Sequence, residues 1–553
     1  MSSPSDLVIY PAKLVRTMDP ARPTAQAIAV YGDRIRAVGT VEELRTYGDA
    51  TVDDRYADKV LLPGFVEAHS HAKTGGTWRH TYAGYFPRTS PDGRHWPGCP
   101  TLDAVLDRLR EADAALADPD EPLVAWGMDP IYYPGERLVG AHLDRVSSTR
   151  PIFVMHASGH LATVNSALMR RDGITRDTRV EGVMRRPDGE PDGELREMTA
   201  MALASPYPQL GPVVLDEDML WDFARDGRNH GVTTLADLGS RMLMDDDGVA
   251  VYENAVLRED YPARLSVFHW GLRAGTEIAA PADAVPRLKE LRDARSHPKL
   301  HFGHVKFVLD GTVQGFSARL QEPGFLGRPN GIWVQTPEEF RAAFTVFHEA
   351  GLMVHVHCNG DQATELFLDT VEDALAAHPR WDHRHTVTHS QLSTPAQYRR
   401  MAALGMCANI FTNHLYYWGD QHLDISIGVD RASRMNAAAT ALRSGVPISI
   451  HCDTPVTPLN PLHTAQTAVT RRTASGRSIG AYERITAEQA LHAITLGAAY
   501  MLKLDHAVGS LEAGKYADLA VLGADPLAVG DALADVPVHG TVVGGRHFPV
   551  PSS

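Results

Sequence analysis

The chain has 553 residues, a formal net charge of −15, 44% apolar residues and 22% charged residues, the profile of a globular chain too long for one compact core. The acidic balance argues against nucleic acid and anionic membranes as partners, and no run of about 18 apolar residues is present to span a bilayer. Met1-Ser2-Ser3-Pro4-Ser5-Asp6 lacks the basic and apolar segments of a secretory signal. Cys99, Cys358, Cys407 and Cys452 form no CxxC and no disulfide framework, which fits a cytoplasmic protein.

Residues 7–62 read as short strands. Leu7–Tyr10, Ala27–Tyr31 and Arg34–Val38 are β-rich, and Gly32-Asp33 supplies a hairpin turn between the last two. The far end has the same texture, with Ala517–Leu522 and Val538–Val543, the latter followed by the Gly544-Gly545 turn. Two β-rich ends around a long middle predict one small β-sandwich domain assembled from residues 1–62 and 505–553.

The middle alternates apolar runs with helical stretches, the pattern of parallel βα units. Eight runs stand out: Leu61–Val66, Val232–Leu238, Arg264–Trp270, His304–Leu309, Met353–His357, His385–His389, Cys407–Phe411 and Pro447–Cys452. Helical spacers include Pro337–Ala350, Thr364–Ala377 and Thr394–Leu404, and Thr486–Leu496 and Gly497–Leu502 read as closing helices. The expectation is an α/β chain with a (β/α)8 TIM barrel over residues 63–504. Residues 72–231 are too many for a simple crossover and carry strands of their own, Leu123–Trp126 and Ile152–Met155. They predict an inserted subdomain after strand one, about residues 75–228, covering the barrel mouth.

The strand ends carry the chemistry. Strand one runs into His69-Ser70-His71, whose histidines share a face because side chains alternate along a strand. Strand five ends in His355-Val356-His357, strand six in Thr388-His389, strand eight in His451-Cys452-Asp453, and Lys306 lies inside strand four. In a barrel these ends surround one mouth. Imidazoles and a carboxylate gathered there suit one or two divalent transition metals, zinc above all. His357 is nearer its strand end than His355, which reads as a core histidine. Lys306 either pairs with Asp310 or, with burial favouring its neutral amine, takes up CO2 to become an anionic bridge between metals. Asp453 is either a turn cap or a metal contact that doubles as general base and acid. Cys358 and Cys452 read as small buried apolar residues. Around the mouth, His156, His160, Trp78 and His414 are candidate substrate contacts. The Tyr416-Tyr417-Trp418 run either stacks a substrate group or packs the insert onto the barrel.

These residues carry a resemblance. Leu62-Pro63-Gly64-Phe65-Val66-Glu67-Ala68-His69-Ser70-His71 resembles the strand-one signature of the amidohydrolase superfamily, and Val508–Leu519 is similar to its C-terminal signature. His357-Cys358-Asn359-Gly360-Asp361, Val305-Lys306-Phe307 with Asp310-Gly311, Gly159–Leu168 and Asp453–Leu462 resemble motifs of the amidohydrolase family 3 group, and together the matches run from about residue 7 to residue 545. The resemblance implies a metal-dependent hydrolase of C–N bonds, commonly N-acyl or N-formyl amides, with His69, His71, His357, His389 and Asp453 as ligands and Lys306 as the carbamylated bridge. Two departures stand out. His451-Cys452 replaces the Gly-Ser or Ser-Asp pair common before or at this Asp, and Asp310-Gly311-Thr312-Val313-Gln314-Gly315 replaces a more usual Ser-Leu-Gly continuation. The competing readings are a single-metal deaminase or cyclic-amide hydrolase and, from another class, a catalytically dead barrel used for binding, which predicts broken ligand positions where these are intact. A small-molecule amide is the expected partner; a homodimer is compatible with the architecture.

Overall fold

The computed structural model describes residues 7–133, 135, 137–210, 215–271 and 279–551. The first six residues, read above for a signal, lie outside them. Eight parallel strands form one sheet in which every strand pairs with its sequence neighbour. They are β1 (Phe65–Ser70), β2 (Val232–Ser240), β3 (Arg264–Trp270), β4 (Leu300–Val308), β5 (Met353–Cys358), β6 (Thr386–His389), β7 (Cys407–Ile410) and β8 (Ile448–Ile450). Among the described residues no helix is long and apolar enough to cross a membrane.

The helices that wrap the barrel are dictated locally. Pro337–Glu349 starts on a Thr336/Glu339 capping box with proline in its first turn, and Pro395–Ala403 repeats the device with Thr394 and Gln397. Phe340, Phe344 and Phe347, spaced to share one helix face, are buried with Phe307, Val354 and Val356 of the strands. The stretch 75–228 is not all insert. Glu217–Asn229 buries Leu220, Phe223 and Ala224 in the core shared with β2, so this helix belongs to the barrel. The insert has its own mixed sheet, in the order Val183–Arg185, Pro191–Arg196, Leu161–Val164, Ile152–His156, Leu123–Met128, Thr81–Tyr82. Alternating residues of its central strands enter two different cores, one holding Val124, Trp126, Phe153 and Met155 and the other Leu123, Ala125, Ile152 and Val154.

Both termini meet in one eight-stranded sheet, in which Val60–Pro63 pairs antiparallel with Leu519–Leu522. The sheet curls until Arg34 bridges Tyr516, and Val15, Ile28, Ile35, Leu61, Leu519 and Val542 share one core. The apolar run 61–66 is therefore two strands and not one. Residues up to Pro63 belong to the terminal sheet, and from Phe65 the chain is barrel. Gly64 makes the change of sheet, because a Cβ there would lie 2.0 Å from Thr233 Oγ1. Arg264 on β3 fastens the two units through a buried ion pair with Asp518, at 2.6 and 2.9 Å.

No ladder joins β8 to β1 among the described residues; the seam is closed by other means. Asp453 N donates to the His69 carbonyl (3.2 Å) and His71 N to the Thr454 carbonyl (3.1 Å). The buried Glu67 carboxylate accepts from His69 N on one side and Cys452 N on the other, at 3.1 and 2.9 Å. Glu67→Leu should therefore orphan two buried N–H groups and cost about 1–3 kcal/mol for each, read as a lowered urea midpoint, with Glu67→Gln costing less because one acceptor oxygen remains. A Leu variant as stable as the parent chain would contradict this account of the seam.

Candidate metal centre

The seam places the ends of β1 and β8 beside those of β4 to β6. Asp453 Oδ1 lies 3.1 Å from His69 Nε2 and 3.4 Å from His71 Nε2, and His389 Nδ1 is 3.9 Å from Asp453 Oδ2. The His389 ring is 4.7 Å from that of His69 and 4.3 Å from that of His357. Lys306 Nζ approaches His69 Nδ1 at 3.5 Å. All six residues expected as ligands, His69, His71, Lys306, His357, His389 and Asp453, line one cavity.

Two features fit a divalent cation. Donor atoms of His69, His389, His451 and Asp453 all lie within 4.8 Å of one another in a buried group. Asp453 Oδ1 faces two imidazole nitrogens, His69 Nε2 and His71 Nε2, and a carboxylate among imidazoles in a buried site is a donor set that suits a divalent cation. Burial drives His69, His357 and His389 well below the ordinary imidazole range, keeping them in the neutral form a metal needs. Asp453 is held well below the usual carboxylate range, because the surrounding histidines outweigh the opposing effect of burial. His357 Nε2 lies 3.1 Å from the Gly311 carbonyl and 2.9 Å from Asn359 Nδ2, which hold the ring in place.

The lysine is not paired with Asp310. That carboxylate instead accepts from the backbone N–H groups of Asn359, Gly360 and Arg319 at 3.0, 2.8 and 2.9 Å, tying together the loops after β4 and β5. Burial pushes the Lys306 amine down to about 7. His355, one step deeper on β5, gives its Nε2 to the Met501 carbonyl at 3.2 Å, away from the cluster. Cys358 and Cys452 are buried free thiols.

The expected substrate contacts divide. His160 and His414 line the cavity. His160 Nδ1 lies 2.7 Å from Glu197 Oε2; burial disfavours its cation, but the Glu197 charge and hydrogen bond prevail and its pKa is raised. Trp418 and Trp78 do not line the cavity. Trp418 Nε1 donates to Asp129 Oδ2 at 3.0 Å and the Tyr417 carbonyl accepts from Tyr132 OH at 2.9 Å, so the Tyr-Tyr-Trp run fastens the insert to the barrel. Trp78 stands behind Trp126, with ring centroids 5.0 Å apart. The apolar wall is formed by Trp126, Met155 and Tyr207 of the insert with Trp270 from the end of β3. Nothing in the sequence marked these four, which meet only through the tertiary fold. Lys73 and His451 had a legible signal, each lying two residues from an expected ligand.

A family model described as the amidohydrolase family matches residues 57–548. The protein LONG AFTER FAR-RED 3 of Arabidopsis thaliana is 27% identical over 545 residues, covering 96% of this chain and 90% of that protein. An N-substituted formamide deformylase of Arthrobacter pascens is 26% identical over 559 residues, covering 99% and 98%. Among solved structures, a metal-dependent hydrolase from Pyrococcus horikoshii superposes with a TM-score of 0.70 at 16% identity, over 98% of this chain and all of that one, which speaks for the fold. With its family match spanning nearly the whole chain and its candidate ligands gathered at the C-terminal ends of a parallel barrel, the chain belongs to the amidohydrolase family.

Proposed function

We propose that this chain is a metal-dependent hydrolase that cleaves an amide-type C–N bond of a small molecule. The observation that carries the reading is the buried Asp453 carboxylate facing His69, His71 and His389. The similarity to a formamide deformylase across 99% of the chain supports an N-formyl or N-acyl amine as substrate class. His69, His71, His357, His389 and Asp453 would hold one or two divalent ions, zinc above all on this donor set, with Lys306 as a bridging ligand once carbamylated. When bound, such an ion makes a water acidic enough to attack at neutral pH and polarises a carbonyl.

The protein's own groups supply the rest. Asp453, ionised, would take the proton of the attacking water and return it to the leaving nitrogen. His160, held by Glu197, presents its ring to the cavity and donates a hydrogen bond to a substrate oxygen. Trp126, Met155, Tyr207 and Trp270 pack the nitrogen substituent and exclude water. His69, His389 and Asp453, whose donor atoms cluster around one point, also suit a single metal ion, as in a deaminase or cyclic-amide hydrolase. Metals counted per chain, with turnover of N-formyl and N-acyl amines against ring amides and aminated heterocycles, separate the two. Four buried unpaired cysteines support a reducing compartment.

Asp453→Asn should keep bound metal and lower kcat by about 10²–10⁴, measured on the best amide of that panel. Near-normal kcat would remove Asp453 from proton transfer. Lys306 predicts a pH dependence of a different kind. Below about pH 7 its amine is mostly protonated and inert to CO2, and above it mostly neutral. Reconstitution of metal-stripped protein with zinc and ¹³C-bicarbonate should therefore quicken as pH rises through 7 and yield a carbamate signal in the ¹³C spectrum. No signal, together with a fully active Lys306→Ala variant, would exclude the bridge.

A further inference from the structure

We infer that Asn409 and His451 form a hydrogen-bonded chain that sets the tautomer and orientation of His389, so that His451 is a positioning residue beneath the metal centre and not one of its ligands. The inference rests on the metal-binding reading above. It starts from strand alternation. Ile448, Ile450 and Cys452 lie in the core shared with the surrounding helices, so Ser449, His451 and Asp453 face the barrel interior. A strand rises about 3.3 Å per residue, which sets the His451 backbone one layer deeper than Asp453. Ser449, deeper again, reaches Met501 Sδ at the barrel floor. On β7 the same alternation sends Ala408 and Ile410 outward and Asn409 inward, where it meets His451.

Proton positions follow from the partners. Asn409 Nδ2 donates to the Ala68 carbonyl across the seam at 3.3 Å. Its other side-chain atom, the oxygen, can only accept, and it lies 2.7 Å from His451 Nδ1, so His451 carries a proton on Nδ1. Both ring nitrogens of His451 are accounted for by Asn409 and His389, with no carboxylate among their hydrogen-bond partners. With its proton on Nδ1, the ring presents Nε2 as its acceptor. That nitrogen is 3.1 Å from His389 Nδ1, which must then be the donor. His389 in turn keeps Nε2 as its free lone pair. Phe411, stacked on His451 at 5.0 Å and 16°, holds the deeper ring in plane. Metal-binding histidines are generally oriented this way, by a hydrogen bond from the nitrogen that does not bind. Although His451 Nε2 lies within the four-residue donor group, its lone pair is spent on His389.

The test uses the full chain loaded with zinc, in the parent form and as His451→Leu, His451→Gln and Asn409→Leu. Affinity is read by chelator competition, and the number of imidazoles per metal by X-ray absorption. The chain predicts that His451→Leu weakens zinc binding about 10–100-fold with no change in imidazoles per metal. His451→Gln, whose side-chain oxygen can accept in place of Nε2, should recover most of the loss. Asn409→Leu should weaken binding too, and the double leucine variant should be no weaker than His451→Leu alone. Loss of one imidazole per metal in His451→Leu, or a Gln variant as weak as the Leu one, would overturn the assignment and leave the metal reading standing. A parent chain that binds no divalent ion would remove both. Should His451→Leu fail to fold, the Gln and Asn409 variants decide the matter.

Discussion

The structure depends on a buried carboxylate at the one place where the barrel does not close by itself. Seven junctions between neighbouring strands are parallel ladders, but between β8 and β1 Glu67 stands in for the missing pairing by taking N–H groups from both sides. Burial pushes this carboxyl up to about 8, and the donated N–H groups pull the other way. The benefit is geometric. Above Glu67 only two backbone bonds cross the seam, from Asp453 N to the His69 carbonyl and from His71 N to the Thr454 carbonyl. Together with the Glu67 clamp they hold His69, His71 and Asp453 at one point. The seam and the metal centre are thus one feature seen from below and from above.

Backbone strain follows the same map. His389, Ser390 and Asp453 have positive φ values of 68°, 47° and 54°, and Glu197, which holds His160, has 62°. Non-glycine residues in this region cost of order 1–3 kcal/mol each and persist only where their surroundings over-determine them. Of these, His389 and Asp453 line the cavity, and Glu197 holds His160, which lines it too. Asp453 is bound through its own N–H to the His69 carbonyl, and Glu197 through its N–H to the His160 carbonyl at 2.7 Å.

Much of this was legible in the sequence because it rests on local periodicity. Eight apolar runs spaced by helices give the barrel, and a histidine or carboxylate at a run's end gives the polar side chains that the fold gathers around one cavity. What failed was reading proximity along the chain as contact. Asp310, four residues from Lys306, bonds instead to backbone on the loops after β4 and β5. The run 61–66 looked like one strand because Leu61, Leu62, Phe65 and Val66 are all buried, though in two different sheets. Trp418 had the composition of a binding residue, and only the position of Asp129 in the insert reveals its structural use. The apolar wall was illegible for a related reason: Trp126, Met155 and Tyr207 belong to an insert whose docking on the barrel has no signature in local pattern.

The division between barrel and insert bears on how many metals the centre holds. Burial leaves the imidazoles neutral, so among the clustered donors the only fixed negative charge is Asp453. One dication among them retains a single surplus positive charge, which a bound hydroxide could balance. Two dications would leave a far larger surplus in a medium where uncompensated charge costs several kcal/mol. The insert does not correct this, since Glu197 is already engaged by His160 and Lys73, also lining the cavity, adds positive charge. On the proposed reading, a second metal would call for another anion near these donors. Lys306, buried, unpaired with Asp310 and 3.5 Å from His69, is the residue placed to become one. The number of metals and the state of Lys306 are in this sense one question, decided by charge balance.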